Sequence, residues 1–584
     1  MVEATRYYDV APLAAAGSKK ALFTYHYGED LRPGSLVKIP FGPRTSLGIV
    51  IIASSKPEFP TKPITATLPL PALPKHTLEL AAWISDYYAT PLSRVWHSML
   101  PSSLASKPRQ SEIGNRKTQN AKKSNIRLIK QQTDAIKQIQ SGKSRNFLLH
   151  GATGSGKTQV YVELAKLAAQ RGRSTIVLVP EISLTPQATG EFLSQLGQSV
   201  LLTHSGLTPA KRRNLWQQVL DTSKPLVVIG PRSALFMPLM RVGYIIIDEA
   251  QDSSYKQDQA PRYQAVSVGA KLAKLTNAKL VLGSATPSAT DLFLAQAKRL
   301  RLVSMPDPIF RARQKRPQIV DLRTKDLLKK SFLISKPLLT LLEKTLARRK
   351  QSILFLNRRG SARMALCAHC SWVATCPNCQ IPLTWHADFG RLRCHWCNHE
   401  EPPPAQCPDC GRMSIRFLGS GTKRVEAEVK KLLPNAKITR LDRDSFDART
   451  IEDLYRRLKA GEIDILIGTQ MITKGLDLPG VETIGIILAD TMLYLPDFSA
   501  AERTWQLLYQ VRGRAGRRQG VPANLVIQTY SPKHPAIQAA ASGDIQGFVK
   551  QELAERKLLN YPPYTYLLKL SCARASRESA QKAA

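Results

Sequence analysis

Eight residues constrain this chain more than any others: Gly151-Ala-Thr-Gly-Ser-Gly-Lys157-Thr158. They match the phosphate-loop pattern G-x-x-x-x-G-K-[ST]. The apolar run Asn146-Phe-Leu-Leu-His150 precedes them, and the helix-like Thr158-Gln-Val-Tyr-Val-Glu-Leu-Ala follows. That order of strand, loop and helix is the context the motif requires. Gly151, Gly154 and Gly156 free the backbone to turn successive N–H groups towards phosphate oxygens. Lys157 supplies a charge for the β- and γ-phosphates, and the Thr158 hydroxyl is placed to ligate Mg²⁺. ATP and Mg²⁺ are therefore the expected cofactors.

A second signal lies 90 residues on. Ile245-Ile-Ile-Asp248-Glu249-Ala-Gln251 is an apolar strand ending in paired carboxylates. Asp248 stands where a carboxylate would hold the metal, and Glu249 where a general base would activate water. Gly283-Ser-Ala-Thr286-Pro closes the next apolar run and is read as a hydroxyl-bearing relay between nucleotide and nucleic-acid sites. Further on, Gln510-Val-Arg-Gly-Arg514-Ala-Gly-Arg517 spaces two arginines by three residues. Both can serve a γ-phosphate held by another lobe, as arginine fingers do.

The alternation of short β-branched runs with helical patterns predicts an α/β fold. Strands are expected at 147–150, 174–179, 200–203, 226–229, 244–248 and 279–283. A second set is expected at 352–356, 437–441, 464–467, 483–488 and 525–529. Two RecA-like lobes, each a doubly wound parallel sheet, follow. A small β-rich N-terminal domain precedes them, and a metal-binding insertion interrupts the second lobe. The expected boundaries are an N-terminal domain at 1–103 and a basic linker at 104–126. The first lobe is expected at 127–300 and a connector at 301–335. The second lobe falls at 336–365 and 418–535 around an insertion at 366–417, and a C-terminal region begins at 536–584.

Charge narrows the partner. Lys and Arg number 84 against 44 Asp and Glu, a formal net charge of +40. Such an excess points to a polyanionic partner. Membrane insertion is not expected, because no apolar run approaches the roughly 20 residues of a spanning helix. The N-terminus has no basic region leading into an apolar stretch, so a cytoplasmic location is expected.

Eight of the nine cysteines lie between Cys367 and Cys410, and Cys572 stands alone. The eight form four C-x₂-C pairs: Cys367/Cys370, Cys376/Cys379, Cys394/Cys397 and Cys407/Cys410. Four such knuckles make two closed Cys₄ sites, read as two structural Zn²⁺ ions in preference to iron–sulfur clusters. Spacing alone leaves open which pairs share an ion. His369 and His395 inside knuckles are read as facing outward. Trp372, Trp385 and Trp396 are read as packing the small module.

Together these motifs resemble superfamily 2 helicases. Several intervening segments are similar to the PriA (primosomal protein N′) family of replication-restart helicases. They are Val179-Pro-Glu-Ile-Ser-Leu-Thr-Pro-Gln187, Thr203-His-Ser-Gly-Leu207, Gly230-Pro-Arg-Ser-Ala-Leu-Phe236, Asp252-Ser-Ser-Tyr-Lys-Gln257, Phe355-Leu-Asn-Arg-Arg-Gly360 and Gly468-Thr-Gln-Met-Ile-Thr-Lys-Gly475. Val37-Lys-Ile-Pro-Phe-Gly42 and Gly48-Ile-Val resemble that family's N-terminal DNA-binding domain. The likeness covers about residues 5 to 570.

It implies an ATP-dependent 3′-to-5′ DNA helicase that recognises abandoned forks and D-loops and helps reload the replicative helicase. Other primosome proteins, single-stranded DNA-binding protein and a helicase loader are the implied partners. It implies that Gln132 contacts adenine, and that Tyr255, Arg262 and Tyr263 lie on an aromatic-rich loop touching single-stranded DNA. Phe23 and Tyr25 are implied to bind DNA in the N-terminal domain. It also implies nested metal sites: Cys367, Cys370, Cys407 and Cys410 on one ion, and Cys376, Cys379, Cys394 and Cys397 on the other.

The chain departs from the family pattern at several points. Asp248-Glu-Ala-Gln251 stands for Asp-Glu-Glu-His, and Arg262-Tyr-Gln-Ala-Val-Ser267 for Arg-Tyr-His-Ala-Arg-Asp. Phe23-Thr24-Tyr25 stands for Phe-Asp-Tyr, which is expected to weaken reading of a 3′-hydroxyl. The linker is shorter than a winged-helix domain, and the sequence ends soon after Tyr561-Pro-Pro-Tyr-Thr565. These departures motivate an alternative expectation of a fork-binding scaffold with weak or no unwinding. A third reading is an RNA helicase with the same engine.

Overall fold

The computed structural model describes residues 5–14, 21–102, 104, 127–180, 186–309, 315–328, 331, 333–356, 363–370, 372–378, 382–386, 389–394, 397–418, 421–441, 448–469, 480–493, 495, 497–513, 523–570, 572 and 576–583. They form two compact units. The first holds the described residues up to 287 together with 299–309, and the second holds 288–298 and most of the remainder. Except for Leu104, the expected basic linker lies outside the described residues. So do Cys379, Arg514 and Arg517.

The first unit opens with β1 (Arg6–Pro12), β2 (Phe23–Tyr27), β3 (Leu36–Phe41), β4 (Arg44–Ser54), β5 (Lys62–Pro63) and β6 (Ala66–Thr67). They make one sheet in the order β5-β2-β1-β4-β3-β6. Alternation sends Tyr8, Val10, Tyr25, Val37, Ile39 and Val50 into one core. Asp9 and Thr24, on the opposite face, are direct cross-strand partners. Two helices follow, α1 (Lys75–Tyr87) and α2 (Leu92–Met99).

The same unit continues with α3 (Lys130–Ser141), β7 (Asn146–Gly151), α4 (Lys157–Gln170), β8 (Ser174–Leu178), α5 (Pro186–Leu196), β9 (Val200–Leu202), α6 (Pro209–Asp221), β10 (Val227–Gly230), β11 (Val242–Ile247), α7 (Ala265–Thr276), β12 (Lys279–Ser284) and β13 (Arg301–Met305). The strands pair in parallel in the order β13-β7-β12-β11-β8-β10-β9. Central strands read as unbroken apolar runs because helices cover both faces. Every residue of β8 is buried. In such a sheet the functional crevice lies beyond the carboxyl ends of the strands. The loops after β7, β11 and β12 all emerge there.

The second unit contains α8 (Ala289–Gln296), β14 (Gln318–Asp321), α9 (Lys336–Ala347) and β15 (Gln351–Phe355). Next come β16 (Arg363–Cys367), β17 (Thr384–His386), β18 (Arg391–Arg393), β19 (Glu400–Glu401) and β20 (Ile415–Leu418), an antiparallel sheet that is the insertion. The lobe resumes with α10 (Thr422–Leu432), β21 (Ile438–Leu441), α11 (Ala448–Lys459), β22 (Ile465–Gly468), β23 (Val481–Ile486), α12 (Ala500–Arg512), β24 (Asn524–Thr529), α13 (Pro535–Ser542) and α14 (Ile545–Leu558). Its parallel sheet runs β14-β24-β23-β15-β22-β21.

Three features differ from the sequence reading. The stretch 301–335, expected as a connector, gives an edge strand to each parallel sheet: β13 beside β7 and β14 beside β24. Both are short, half-exposed edges, so they lack the apolar runs that mark the central strands. The expected first lobe ended at 300, yet α8 belongs to the second unit. The stretch 536–558, expected to open a separate C-terminal region, folds as α13 and α14 in that unit, and Phe548 stacks on Trp505 at 4.9 Å. Among the described residues no helix is long and apolar enough to cross a membrane.

A buried ion network ties α8, α12 and α14 together. Arg556 Nη2 lies 2.7 Å from both Glu502 Oε2 and Glu552 Oε1. Glu502 Oε1 also accepts the Ala289 N–H at the start of α8. The three charged side chains are at most 8% exposed. Breaking a buried network on one side leaves an uncompensated charge. Arg556→Ala is therefore expected to lower the unfolding free energy by about 3–5 kcal/mol in a denaturant titration. A cost within the noise of surface substitutions would show that water screens these groups.

Candidate nucleotide-binding site and metal centres

The phosphate loop leaves β7 at Gly151 and enters α4 at Lys157. Gly154 and Gly156 have φ of +80° and +79°, values that non-glycine residues adopt only with strain. The loop is pinned from outside: Ala152 N donates to Met305 O at 3.0 Å, and Ile309 N donates to Gly154 O at 2.9 Å. Edge strand β13 and the turn after it thus shape the loop. The Lys157 ammonium donates to Gly151 O at 2.9 Å, across the loop's concavity. Thr158 sits half-buried on the first turn of α4.

Gln132, expected to contact adenine, has both amide ends engaged within the protein. Ile129 N donates to its Oε1 at 3.0 Å, and its Nε2 donates to Gly156 O at 3.3 Å. It is 3% exposed. The geometry makes Gln132 a brace for the loop.

Asp248 follows β11 directly, and its N–H extends the ladder to Leu178 O. Its carboxyl is pushed up to about 6, first by burial and then by the Glu249 charge, with Lys157 opposing. Tyr161 Oη donates to Asp248 Oδ1 at 2.8 Å. Burial and that carboxylate raise the Tyr161 phenol well above its usual range, so it stays a donor. Tyr161 was not singled out from sequence. Its position four residues after Lys157 puts it on the same helix face, and that was the available signal.

Glu249 is held at φ +47°, an uncommon backbone for a side chain of its size. Its Oε2 accepts from Gln251 Nε2 at 2.6 Å. Gln251 Oε1 in turn accepts from Ser284 Oγ at 2.6 Å, and Ser284 Oγ accepts the Thr286 N–H at 2.9 Å. A continuous line of hydrogen bonds runs from the Glu249 carboxylate to the Gly283–Pro287 turn. The substitution of Gln for His keeps two-ended bonding, because an amide offers a donor and an acceptor just as two ring nitrogens do.

The aromatic-rich loop corrects an expectation. Tyr255 is 0% exposed, and its hydroxyl donates to Asp248 O at 2.6 Å. Tyr263 is 3% exposed and packs edge-on against Phe236 at 5.2 Å. Neither ring is open to base stacking; both anchor the loop in the lobe. Arg262, with φ +49°, remains exposed. Beside this loop lies an open groove of about 590 Å³, with Arg94 and His97 on one wall and His204, Arg212, Arg232 and Gln257 among the others. Its cationic lining suits a phosphate backbone.

In the N-terminal sheet Tyr25 is 5% exposed, with its hydroxyl donating to Pro40 O at 3.1 Å, and Phe23 packs edge-on against Phe41 at 5.3 Å. Thr24, which replaces an aspartate of the resembling family, donates its hydroxyl to Asp9 Oδ1 at 2.7 Å. A carboxylate is thus present at this position, supplied across the strand pair. Gln510 lies half-buried on α12.

In the insertion, the sulfurs of Cys367, Cys370, Cys407 and Cys410 converge, as do those of Cys376, Cys394 and Cys397. Sγ–Sγ separations are 3.7 Å for Cys367–Cys410, 3.5 Å for Cys370–Cys407 and 3.5 Å for Cys376–Cys397. A tetrahedral Zn²⁺ with bonds of about 2.3 Å sets its ligand sulfurs about 3.8 Å apart. The clusters fit zinc, and their membership follows the nested pairing. His369 is exposed, as an outward-facing residue should be. Trp385 stacks on Phe417 at 4.2 Å, and Trp372 packs against the module's small core.

Comparison with known proteins agrees with this geometry. Family models match for the DEAD/DEAH box helicase (residues 129–293), the 3′DNA-binding domain (13–101), the PriA DNA helicase Cys-rich region (376–402) and the helicase conserved C-terminal domain (415–519). The "Replication restart protein PriA" of Treponema pallidum is 37% identical over 580 residues, spanning 96% of this chain and 86% of that protein. The chain belongs to the PriA replication-restart family. The PriA proteins of Bacillus subtilis and Synechocystis are 42% and 41% identical over 76% and 74% of the chain. The chain spans 55% and 53% of the length of those two PriA proteins.

One steric feature of this PriA-family site can be tested on its own. A Cβ at Gly283 would collide with the Tyr161 hydroxyl and lie 2.9 Å from Cζ behind it. Gly283→Ala is expected to destabilise the protein by about 1–3 kcal/mol through overpacking. Adding Tyr161→Phe should recover part of that loss in thermal melts. A neutral Gly283→Ala would mean that Tyr161 does not occupy this place.

Proposed function

We propose that the chain is an ATP-dependent 3′-to-5′ DNA helicase that recognises stalled or abandoned replication forks and D-loops and initiates restart by primosome assembly. The observation that carries this reading is the unbroken link from Glu249 through Gln251 and Ser284 to Thr286. It joins the hydrolytic carboxylate to the turn that leaves the nucleotide site. The same link favours an enzyme over a passive fork-binding scaffold, since Gln251 occupies a working place between two motifs.

The roles follow from chemistry. Lys157 neutralises the β- and γ-phosphates, and the Gly151–Gly156 backbone cradles them. Thr158 and Asp248 would hold Mg²⁺, which supplies charge neutralisation at the phosphates. Glu249 takes the proton of the attacking water. Gln510, Arg514 and Arg517 stabilise the charge that develops on the transferred phosphoryl group. The cationic groove carries the tracked strand through its phosphates, and the exposed Arg262 of the neighbouring loop is assigned a DNA contact. Asp9 and Thr24 give the N-terminal domain an acceptor for a free 3′-hydroxyl, with Phe23 and Tyr25 shaping that sheet. Single-stranded DNA-binding protein, other primosome proteins and a helicase loader are the proposed partners, in the cytoplasm.

Two experiments test these assignments. Lys157→Ala and Arg517→Ala should each reduce DNA-stimulated ATP hydrolysis by orders of magnitude, because arginine fingers are worth about 10³–10⁵ in rate. Arg517→Ala should retain nucleotide binding, since its work is in the transition state; near-normal turnover would show the finger is misassigned.

Elemental analysis should find two zinc equivalents per chain, with Cys379 completing the second cluster. Because thiolates must be deprotonated to bind, acid and chelators should both release the metal. One equivalent, or an iron chromophore, would overturn the two-zinc assignment.

A further inference from the structure

The aromatic-rich loop is a hairpin whose base is fixed from two sides. Lys256 and Gln264 form an antiparallel bridge, and Gln257 N donates to Tyr263 O at 2.9 Å. On one side, Arg232 Nη1 donates to Ser254 O at 2.5 Å and to Lys256 O at 3.2 Å. On the other side stands a residue of the N-terminal domain. Gln264 N donates to Tyr88 Oη at 3.0 Å, and Ser267 also hydrogen-bonds that phenol oxygen. The Lys256 ammonium lies 5.7 Å from the centre of the Tyr88 ring.

Tyr88 is held in place for this contact. It caps α1, and the next residue, Ala89, takes φ +45°, a left-handed backbone uncommon for alanine. Trp83 meets Tyr88 edge-on at 6.1 Å and stacks on Tyr87 at 4.8 Å, while Lys271 of α7 sits 5.6 Å over Trp83. The end of α1 is thus an aromatic cluster seated on α7, the helix that the hairpin leads into. At the hairpin's other end, Tyr255 adjoins Lys256 and holds Asp248 O. The hairpin tip lines the cationic groove through Gln259 and Ala260. Gln264 and Ser267, the residues that meet Tyr88, are two of the positions where this chain departs from the family pattern.

We propose that Tyr88 is a positioning residue that couples the DNA-binding domain to ATP hydrolysis, by fixing the 256–264 hairpin where Tyr255 holds Asp248. DNA in the groove meets the hairpin tip. The base of the hairpin is braced by Tyr88 on the domain side and by Arg232 on the lobe side. Displacement of the tip is then passed along the strand to Tyr255 and the Asp248–Glu249 turn, and is not dissipated at the base. Without the phenol oxygen, the Gln264 N–H and the Ser267 hydroxyl lose their shared acceptor. The hairpin then moves without moving the carboxylates. This inference rests on the proposed reading of the groove as the strand path.

The test uses Tyr88→Phe in the full chain, with hydrolysis measured alone, with single-stranded oligonucleotide and with forked DNA. The rate without DNA and the DNA concentration for half-stimulation should stay within about twofold of the parent, and the melting temperature within a few degrees, as for a substitution that removes only one hydroxyl. The maximal DNA-stimulated rate should fall roughly fivefold, the scale of a lost hydrogen bond. Hydrogen exchange at the Gln264 amide should speed up, because that donor loses its partner. Ser267→Ala should reproduce part of the loss and add little to Tyr88→Phe. Full stimulation in Tyr88→Phe would overturn the proposal. A parallel fall in basal rate and melting temperature would also overturn it, by assigning Tyr88 a structural role alone. A parent protein without any DNA stimulation would instead sink the broader helicase reading, and this coupling with it.

Discussion

One buried hydroxyl joins three motifs. Tyr161 projects from the helix that the phosphate loop starts, donates to Asp248 at the end of β11, and fills the space that Gly283 leaves at the end of β12. Phosphate loop, Asp248 carboxylate and the Gly283–Pro287 turn are thereby held together at the carboxyl ends of the parallel strands. Desolvation of that half-buried carboxylate, with the Glu249 charge beside it, pushes Asp248 up to about 6. A group so placed is poised to gain from a bound cation, which would offset the desolvation that now penalises its charge.

Much of this arrangement was legible in the sequence because it is local. The phosphate loop, the Asp248–Glu249 pair and the four knuckles are each defined by fewer than about ten neighbouring residues, with residue types that chemistry restricts. Central strands were legible as apolar runs for the reason that both faces are covered. What escaped was set by tertiary context. Strands β13 and β14 are half-exposed edges without a periodic signature. The family resemblance implied that Tyr255 and Tyr263 touch DNA, yet loop aromatics next to a lobe core find more apolar area by packing inward. Gln132 likewise turns both amide ends into the protein. Asp9 could not be tied to Thr24 without the strand register. The arginine spacing at Arg514 and Arg517 falls outside the described residues, so their roles still rest on sequence chemistry.

The second unit shows how buried polar groups connect helices. The chain passes from the Gly283–Pro287 turn straight into α8, whose first N–H is held by Glu502. Glu502 lies at the start of α12, the helix that leads towards Arg514, and Arg556 of α14 closes the network. Such buried charges add little net stability compared with apolar packing. Helix α8 is thereby tied to α12 and α14 within the second unit.

The central claim is that hydrolysis at this site drives separation of DNA strands. It is tested most directly by strand displacement on a forked duplex, with trapping oligonucleotide present and ATP either supplied or withheld. The account predicts displacement that requires ATP and magnesium, requires a 3′ single-stranded path for translocation, and is abolished by a non-hydrolysable analogue. Displacement that proceeds equally without ATP, or hydrolysis stimulated by forks with no strand released, would contradict it.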